Sequence, residues 1–448
     1  MKHFFVKNLY IHHLRHLDRL IIPINSEKMQ HLILTGKNGS GKTSVLNEIK
    51  TYIDLLLKVN FPETLNNSTS QLIDSLIEIK SINLVQIKKD FEDNKKEFEL
   101  GNIKLSDFEK YKNVYTEFLD SEKSSREEID SLFDIAPFSL MLTTNLNYND
   151  LKKQFESGNY IFAHFSAKRN FITNEVNSPQ KIELPEIFES NHSGNELFLQ
   201  YLVNQQVQLL YAKADNDGKS VKEIEDWFLK IRAIFRDIFE DETLELIYDR
   251  DNYEFKFKAK NRIEFDINTL SDGYSSILGI IAELIIRMER KSSKIYKLSG
   301  LVLIDELETH LHISLQRKVL RILTTLFPNL QFIVTTHSPF ILNSIENAVV
   351  YDMEYQETIH DVSKYSTEAL VENYFESNKY SEALLEKINH YESLLKKNTN
   401  SDDEVDEIIE LKKYFDDLPL INSKEMELKI NLLNLDYKDK FEKLMQHD

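Results

Sequence analysis

The sequence predicts an α/β protein: a head built on a mixed sheet, with an antiparallel β lobe, a helical insertion and a C-terminal helical extension. Three observations support this prediction. Uninterrupted apolar runs, such as 301–304 and 332–334, are typical of buried parallel strands. Elsewhere apolar residues recur at three- and four-residue spacing, as they do on one face of a helix. Residues 244–267 instead alternate like a β-hairpin, with 249–252 as the turn.

Composition restricts the class of protein before any motif is considered. The chain has 448 residues, a length typical of two to three structural units. Of these residues 41% are hydrophobic, which is enough for a core. It contains no cysteine, which excludes disulfides, thiolate metal sites and cysteine nucleophiles and fits a reducing cytoplasm. The longest apolar run, 277–286, is interrupted by Glu283 and is too short to cross a bilayer. With no signal peptide recognised, we expect a cytoplasmic protein without a membrane partner.

The charge of the chain bears on nucleic-acid partners. The formal net charge is -19, and such a surface repels DNA and RNA on average. Binding to DNA or RNA would therefore require a local basic patch, or a partner that supplies the positive charge.

Residues 1–55 predict strands, a glycine-containing loop and a helix. The loop directly follows the apolar strand candidate 32–35 and fits the pattern G-x-x-x-x-G-K-[ST]. In such a loop the glycines let backbone N–H groups turn inward around a phosphate, and the following helix adds its positive end. Lys42 then reaches the β- and γ-phosphates, and the Thr43 hydroxyl is a Mg²⁺ ligand. The predicted nucleotide-binding residues are Gly36, Lys37, Asn38, Gly39, Ser40, Gly41, Lys42, Thr43 and Ser44.

Residues 56–155 predict a helical insertion. Apolar residues recur at helical spacing between 84 and 119, and a break at 101–102 divides them into an antiparallel pair. Two interpretations stay open. The pair is either a layer packed on the core or an arm that projects and holds a partner or DNA.

Residues 156–352 predict the remainder of the head. A strand resumes at 160–165, and the helical segment 195–240 carries an apolar stripe, including Trp227, that is more typical of a core than of a cofactor site. Residues 270–276 precede another apolar helix. A serine and a glycine at the N-terminus of that helix, Ser271 and Gly273, can form an anion-binding nest.

Two strand ends carry the residues expected to act on the nucleotide. Asp305 follows the strand 301–304, where a carboxylate can bind Mg²⁺ through its water shell. Glu306 comes next and can polarise the attacking water as the catalytic base. His337 ends the strand 332–334 after two threonines, where it can sense the γ-phosphate. Lys42, Glu306 and His337 are therefore the predicted catalytic residues, and Thr43 and Asp305 the predicted Mg²⁺ ligands.

Residues 353–448 predict a helical hairpin followed by a short helix. This tail contains no D-x-D pair and no arginine, since Arg321 is the last arginine of the chain. We therefore expect no Toprim-type or HEPN-type nuclease site in it.

In this order the motifs resemble those of ABC-type ATPases of the SMC/RecF/OLD group. Residues 305–312 are similar to the D-E-P-E-x-H-L-H-P signature of that group, and 336–340 to its T-T-H-S-P block. The likeness covers roughly 1–50 and 155–352. The chain departs from the group at Leu307 and Ile313, where proline is usual, and at Asp272 in the signature. No clear Q-loop glutamine follows 160–165; Arg169 there either contacts phosphate or a partner, or forms a surface salt bridge.

The resemblance implies an ATPase whose active site is shared between two protomers. Lys42 and Glu306 of one copy would face Ser271 and Gly273 of the other across ATP and Mg²⁺. Within the group, the chain looks like the ATPase subunits of bacterial anti-phage defence systems of the Septu-like, retron-associated or PARIS-like kind. There, ATP-dependent dimerisation would control a separate effector, often a nuclease. The alternative is a RecF-like or SMC-like ATPase that acts directly on DNA in repair or maintenance.

Overall fold

The structure is a computed structural model, and the chain falls into two compact units, Met1–Tyr365 and Ser366–Asp448. Its description covers most of the first unit and the helices of the second. The described residues are 4–58, 84–100, 102–133, 139–289, 298–366, 370, 382–397, 401–416, 430–435 and 437, without 170, 172, 181, 183, 185–187, 189–193, 261–262 and 360–361.

The strands of the first unit form three sheets, which confirms the predicted α/β class. The largest has the strand order β12-β11-β3-β10-β9-β5, in which β12 alone runs antiparallel to its neighbour. The other two, β2-β1-β4 and β6-β7-β8, are antiparallel. In chain order the strands are β1 (Val6–Leu14), β2 (Leu17–Pro23), β3 (His31–Thr35), β4 (Leu140–Thr144), β5 (Tyr160–Phe165), β6 (Glu245–Asp249), β7 (Glu254–Lys258), β8 (Phe265–Asp266), β9 (Ser299–Ile304), β10 (Leu330–Thr335), β11 (Ala348–Asp352) and β12 (Glu357–Ile359).

Helices lie in both units. Most of them lie where apolar residues recur with helical spacing. They are α1 (Lys42–Lys58), α2 (Leu84–Glu99), α3 (Leu105–Phe133), α4 (Tyr148–Glu156), α5 (Phe198–Ala214), α6 (Gly218–Phe239), α7 (Asp272–Glu289), α8 (Ile313–Gln316), α9 (Val319–Leu326), α10 (Pro339–Leu342), α11 (Glu382–Lys396) and α12 (Asp402–Asp416). Among the described residues, no helix is both long and apolar enough to span a bilayer.

The large sheet brings the functional motifs to one edge. Every residue of β3, β9 and β10 is buried, which agrees with the apolar runs 32–34, 301–304 and 332–334 that they contain. The register pairs Thr335 with Leu34 and Val334 with Ile304, so the three strands end at the same level. The segments that follow these strands therefore meet at their carboxyl ends, the usual ligand-binding edge of a parallel sheet.

Helix α7 contains a buried ion pair, and the arginine of that pair also contacts the sheet. Glu283 Oε1 accepts a hydrogen bond of 2.6 Å from Arg287 Nε, and Glu283 Oε2 accepts one of 2.9 Å from Asn195 N. The Arg287 guanidinium also donates to the Phe162 carbonyl of β5 at 2.8 Å. These contacts explain why a glutamate interrupts the apolar run of this helix: each buried charge has its partners.

β4 and most of α4 fall within 56–155, the range predicted for the insertion, yet β4 belongs to the sheet of β1 and β2. β4 pairs antiparallel with β1, with Leu142 opposite Leu9, and Leu151 of α4 is buried in the same core. Residues 140–156 thus belong to the head. A five-residue strand next to a long charged helix gives little periodic signal, which is why the sequence did not separate it.

Within the insertion, α2 and α3 pack on each other. Phe91 stacks on Phe108 and Tyr115, with ring centroids 5.9 and 4.7 Å apart. At the base of α3, Phe133 stacks on His12 of β1 at 4.6 Å. Leu100, between the two helices, is 71% exposed. This favours a projecting pair, anchored at its base, over a layer packed along its whole length; residues 59–83 lie outside the described part.

The second unit has its own apolar core. α11, α12 and a helical turn at 430–435 contribute to it, in agreement with the predicted helical hairpin and short helix. The buried residues are Ile388, Tyr391, Leu394, Leu395, Ile408, Phe415, Ile430 and Leu433.

Candidate functional site

The glycine-containing loop connects β3 to α1 and requires its glycines. Gly36, Gly39 and Gly41 have φ values of +123°, +87° and +98°, which L side chains rarely adopt. A Cβ atom on Gly41 would also lie 2.9 Å from Leu17 Cδ1. The loop therefore needs glycine at these positions, as expected for a loop predicted to turn its N–H groups toward a phosphate.

Lys42 lies buried under this loop. Its Nζ donates to the carbonyls of Gly36 and Lys37 at 2.8 and 2.9 Å, and to Ser40 Oγ at 3.4 Å. Burial lowers the pKa of Lys42, and the carboxylates of Glu308 and Glu306 oppose that shift. A cation is thus held directly behind the loop and close to the acids that follow β9.

The loop is also braced by the turn after β11, which the sequence analysis did not predict. Asp352 Oδ1 accepts from the N–H groups of Glu354 and Tyr355 at 2.6 and 3.0 Å. A Cβ on Gly36 would lie 3.1 Å from Glu354 N, and Lys37 forms a 2.9 Å ion pair with Glu354. Because these partners are more than 300 positions apart, no local pattern could reveal the contact.

Asp305 connects the loop to the neighbouring strand ends. One oxygen, Oδ1, accepts hydrogen bonds from the Thr43 hydroxyl at 3.0 Å and the Thr335 hydroxyl at 2.6 Å. The same Thr335 oxygen accepts from the Glu306 N–H at 2.7 Å. The predicted metal ligands therefore lie together, and Glu306 is positioned by the strand beside it.

Glu306 begins the turn after β9 with φ +45°, an uncommon conformation for a residue with a side chain. Its Oε2 accepts from the Thr309 hydroxyl at 3.1 Å, and the residue is partly exposed. The side chain is therefore held in one orientation at the open edge of the sheet.

Glu308 lies within the motif at 305–312 and is a further candidate for the site, although it is not among the predicted site residues. Its Oε1 accepts from the His337 N–H. Its Oε2 is buried and has no hydrogen-bond partner among the described residues. It also ranks ahead of Glu306 and Asp305 among the charges that raise the pKa of Lys42. The third acid of the D-E-x-E pattern at 305–308 was the available signal.

His337 lies beside these groups after β10. Burial and the Lys42 cation lower its pKa, and the three acids Glu308, Glu306 and Asp305 act in the opposite direction. A histidine whose pKa lies below its ordinary value is neutral near pH 7. His337 can therefore form a hydrogen bond with a phosphate or a water molecule without adding a positive charge.

Arg169 takes neither of the two roles considered for it. It is 9% exposed, so it forms no surface salt bridge, and its guanidinium is occupied by protein atoms rather than free for phosphate. It donates to Ser276 Oγ of α7 at 3.0 Å and to the carbonyls of Asp305 and Glu306 at 2.6 and 3.1 Å. It thus connects the first turn of α7 with the turn that carries both acids.

The serine and glycine before α7 have different surroundings. Ser271 is exposed, whereas Gly273 is buried, and a Cβ on Gly273 would lie 2.6 Å from the His310 carbonyl oxygen. The glycine is therefore needed for close packing within its own chain. The roles of Ser271 and Gly273 toward a nucleotide stay predictions.

The donor atoms present fit Mg²⁺. Within the described part of the chain, no group of three or more histidines and acids could hold a metal alone. Mg²⁺ prefers oxygen ligands and takes several from phosphates and water. The Thr43 hydroxyl and the Asp305 carboxylate, 3.0 Å apart, are oxygen donors of that kind.

Comparisons with known proteins show what the chain is similar to. A family model described as "AAA domain, putative AbiEii toxin, Type IV TA system" matches residues 32–343. The Retron Vc95 probable ATPase of Vibrio cholerae serotype O1 biovar El Tor is 22% identical over 88% of this chain and 84% of that protein. The Septu protein PtuA of Bacillus mycoides (strain KBAB4) is 25% identical over 79% of this chain and 41% of that protein.

Solved structures give a more distant likeness. The SmcHead bound to the C-winged helix domain of ScpA aligns with 81% of this chain and all of that one, at 11% identity and a TM-score of 0.35. The SMC head domain from Thermotoga maritima aligns with 77% of this chain and 94% of that one, at 12% identity and a TM-score of 0.32. A similarity at this level supports no inference about function.

Proposed function

The chain belongs to the AAA-domain family matched above and is an SMC/ABC-like ATPase related to those of retron and Septu systems. On that premise, we propose that it hydrolyses ATP with Mg²⁺ in a site completed by a second copy. ATP-dependent pairing of two copies would control a separate effector, a nuclease by expectation, in anti-phage defence. The membership covers residues 32–343, which include every residue placed in the site above.

One observation carries the proposal: Asp305 Oδ1 joins the hydroxyl of the phosphate loop to the end of β10. This arrangement brings the predicted phosphate loop, the oxygen atoms of Thr43 and Asp305, and the acids Glu306 and Glu308 to one edge of the sheet, which supports the proposal. Hydrolysis of a phosphoanhydride needs those parts and little else, because the reaction depends on positioning and electrostatic stabilisation.

The chemistry of each residue follows from its place. Bound Mg²⁺ would neutralise charge on the phosphates, held by Thr43 and, through water, by Asp305. Lys42 would stabilise the negative charge that develops on the γ-phosphate. Glu306 would accept a proton from the attacking water, and neutral His337 would hydrogen-bond that water or the γ-phosphate.

A second copy supplies what the site lacks in one chain. Ser271 is exposed at the start of α7, so its hydroxyl and the helix N-terminus are available to a phosphate from another protomer. Arg169 joins this helix to the Glu306 turn, so contact by a second copy at Ser271 would reach the acids of the same chain.

Replacing Glu306 with glutamine tests the base. The amide keeps the shape and the contact with Thr309 but cannot accept the proton, so hydrolysis should fall at least about hundredfold while ATP binding persists. Paired chains should accumulate with ATP, measured by light scattering after size exclusion. Glu27→Gln removes an exposed acid elsewhere and is the matched control. Normal hydrolysis by Glu306→Gln would exclude this residue as the base.

A mixing experiment tests the shared site. Lys42→Ala and Ser271→Arg should each be inactive alone, the first without ATP binding and the second with it. In an equal mixture half of the dimers hold one intact site, so about a quarter of the wild-type rate should return. If the mixture stays inactive although mixed dimers form, the site is not completed in trans.

A further inference from the structure

The last residue of α8 connects two segments of the candidate site. Gln316 Nε2 donates to the Leu311 carbonyl at 2.8 Å, and Gln316 Oε1 accepts from the Ser338 hydroxyl at 2.6 Å. A carbonyl can only accept, so the amide nitrogen must face Leu311 and the amide oxygen Ser338. Leu311 ends the turn 306–311 after β9, and Ser338 directly follows His337. One amide side chain therefore bridges the turn that carries the acids and the segment that carries the histidine.

The Ser338 end of this bridge is buried. Ser338 is 5% exposed, and its Oγ also accepts from the Phe340 N–H at 3.2 Å as the N-cap of α10. Its own N–H donates to the Thr336 hydroxyl at 2.9 Å. A buried hydroxyl that loses its acceptor costs free energy, so Ser338 is stabilised in the position where Gln316 can accept from it.

A second hydrogen bond joins the same turn to the neighbouring residue. The His337 N–H donates to Glu308 Oε1. Glu308 and Leu311 belong to one turn, in which the Leu311 N–H donates to the Glu308 carbonyl at 2.9 Å. A single hydrogen bond would let the backbone at 337–338 rotate about it, whereas two bonds to one turn fix its orientation as well. Gln316 supplies the second of these bonds.

α8 and α10 are also joined by the residue after Gln316. The Arg317 guanidinium lies over the Phe340 ring, 4.9 Å from its centroid, where the ring face attracts a cation. Arg317 is exposed, so water weakens this contact, while the hydrogen bond of Gln316 ends on a buried group. Gln316 is therefore the contact whose loss should matter more.

We propose that Gln316 is a positioning residue for ATP hydrolysis, whose amide holds Ser338, and with it the backbone of His337, in the orientation that directs the imidazole to the γ-phosphate or the attacking water. This inference rests on the proposed function, because it assigns Gln316 an effect through His337. A residue that acts through His337 and not on the nucleotide should influence kcat and leave KM for ATP unchanged.

Gln316→Met tests this role, because methionine keeps the length of the side chain and removes both hydrogen bonds. In the full-length protein kcat should fall by about fivefold to tenfold, with KM for ATP changed by no more than about twofold. In a His337→Ala background the same substitution should change kcat by no more than about twofold, since the group it positions is gone. Single-turnover assays with radiolabelled ATP keep the slow reaction of His337→Ala measurable.

A matched control and a second variant accompany this test. Gln154 is also half-buried near the end of a helix, α4, which carries none of the site residues, so Gln154→Met should hydrolyse ATP as the wild type does. Thermal unfolding shows whether each variant is folded. If Gln316→Met does not fold, Gln316→Glu is assayed instead. It keeps an acceptor for Ser338 and removes the donor to Leu311, and the same dependence on His337 is expected.

The proposal is overturned if the folded Gln316 variant keeps the wild-type kcat, or if it changes KM alone. It is also overturned if kcat falls by the same factor with and without His337, because the effect would then be structural. A wild-type protein that does not hydrolyse ATP overturns the proposed function and this inference together, so the two failures are distinguished by the wild-type assay.

Discussion

At the scale of single residues, a small number of side-chain atoms connect the predicted phosphate loop, the acidic turn after β9 and the end of β10. Asp305 Oδ1 accepts hydrogen bonds from two hydroxyls. One of them, that of Thr335, also accepts a hydrogen bond from the Glu306 N–H. Glu308 then joins the same turn to His337. Each of these contacts positions an atom that would face the nucleotide, so a change of one side chain should alter catalysis more than binding.

Glu308→Gln is the informative change at this scale. The amide oxygen can still accept from His337 N, while the negative charge near Lys42 disappears. ATP should bind as tightly or more tightly, because one carboxylate facing the phosphates is gone, but the rate constant should fall about tenfold or more. Glu308→Ala, which also removes the acceptor, should be worse. Stopped-flow nucleotide binding and steady-state hydrolysis separate the two effects; an unchanged rate constant in Glu308→Gln would remove this residue from the machinery.

At the scale of elements, α7 and the turn after β9 behave as one piece. Arg169 bridges Ser276 to the carbonyls of Asp305 and Glu306, and Gly273 packs against the His310 carbonyl. Burial lowers the pKa of Arg169 to about 10, so it stays a cation at pH 7. The first turn of α7 is therefore linked to the acidic turn through the side chain of Arg169.

Arg169→Lys tests this connection. A lysine keeps the charge but cannot reach three groups with fixed geometry, which leaves buried carbonyls without donors. We expect the rate constant for hydrolysis to fall severalfold with little change in ATP affinity, and the free energy of unfolding to fall by about 2 kcal/mol. Arg250→Lys, on an exposed turn, is the matched control. Loss of stability with an unchanged rate constant would make Arg169 purely structural.

The sequence predicted the parts of the site that are local and missed those that are distant. The loop 36–43, the acids 305–306 and His337 each follow an apolar strand, and that order alone places them at one sheet edge. Apart from the Ser166 carbonyl, the partners of Arg169 are 107 to 138 positions away, and the turn that packs against Gly36 lies beyond residue 350. Such contacts form only when the sheet is assembled, so propensity and spacing carry no trace of them.

At the scale of the whole molecule, each unit has an apolar core, and strands of the large sheet contribute to the core of the first. His31 of β3 is 4% exposed in that sheet, and its Nδ1 accepts from Phe332 N at 3.1 Å. Burial lowers the pKa of His31 from 6.5 to about 4. The folded chain therefore holds this ring neutral, and protonation opposes folding.

The pH dependence of unfolding follows from this sign. The contribution of neutral His31 is fully present above its unfolded pKa of 6.5 and is lost as the pH falls toward about 4. From about pH 7.5 to about pH 5 the free energy of unfolding should fall by about 2 kcal/mol from this residue. Urea unfolding at both pH values measures the loss, which should shrink in His31→Asn and persist in His13→Asn. Equal pH slopes in all three proteins would contradict the prediction.

The pairing of β4 with β1 has an evolutionary consequence. β4 pairs with β1, with Leu140 opposite Ile11. This pairing does not depend on the number of residues between α1 and β4. Lengthening a connection costs little free energy, about 0.6 kcal/mol for each doubling. Relatives can therefore gain, lose or exchange helical turns beyond the base formed by Phe133 and Asp130 without disturbing the fold. The length of the projecting pair is therefore the feature of the first unit that can change at low cost in stability.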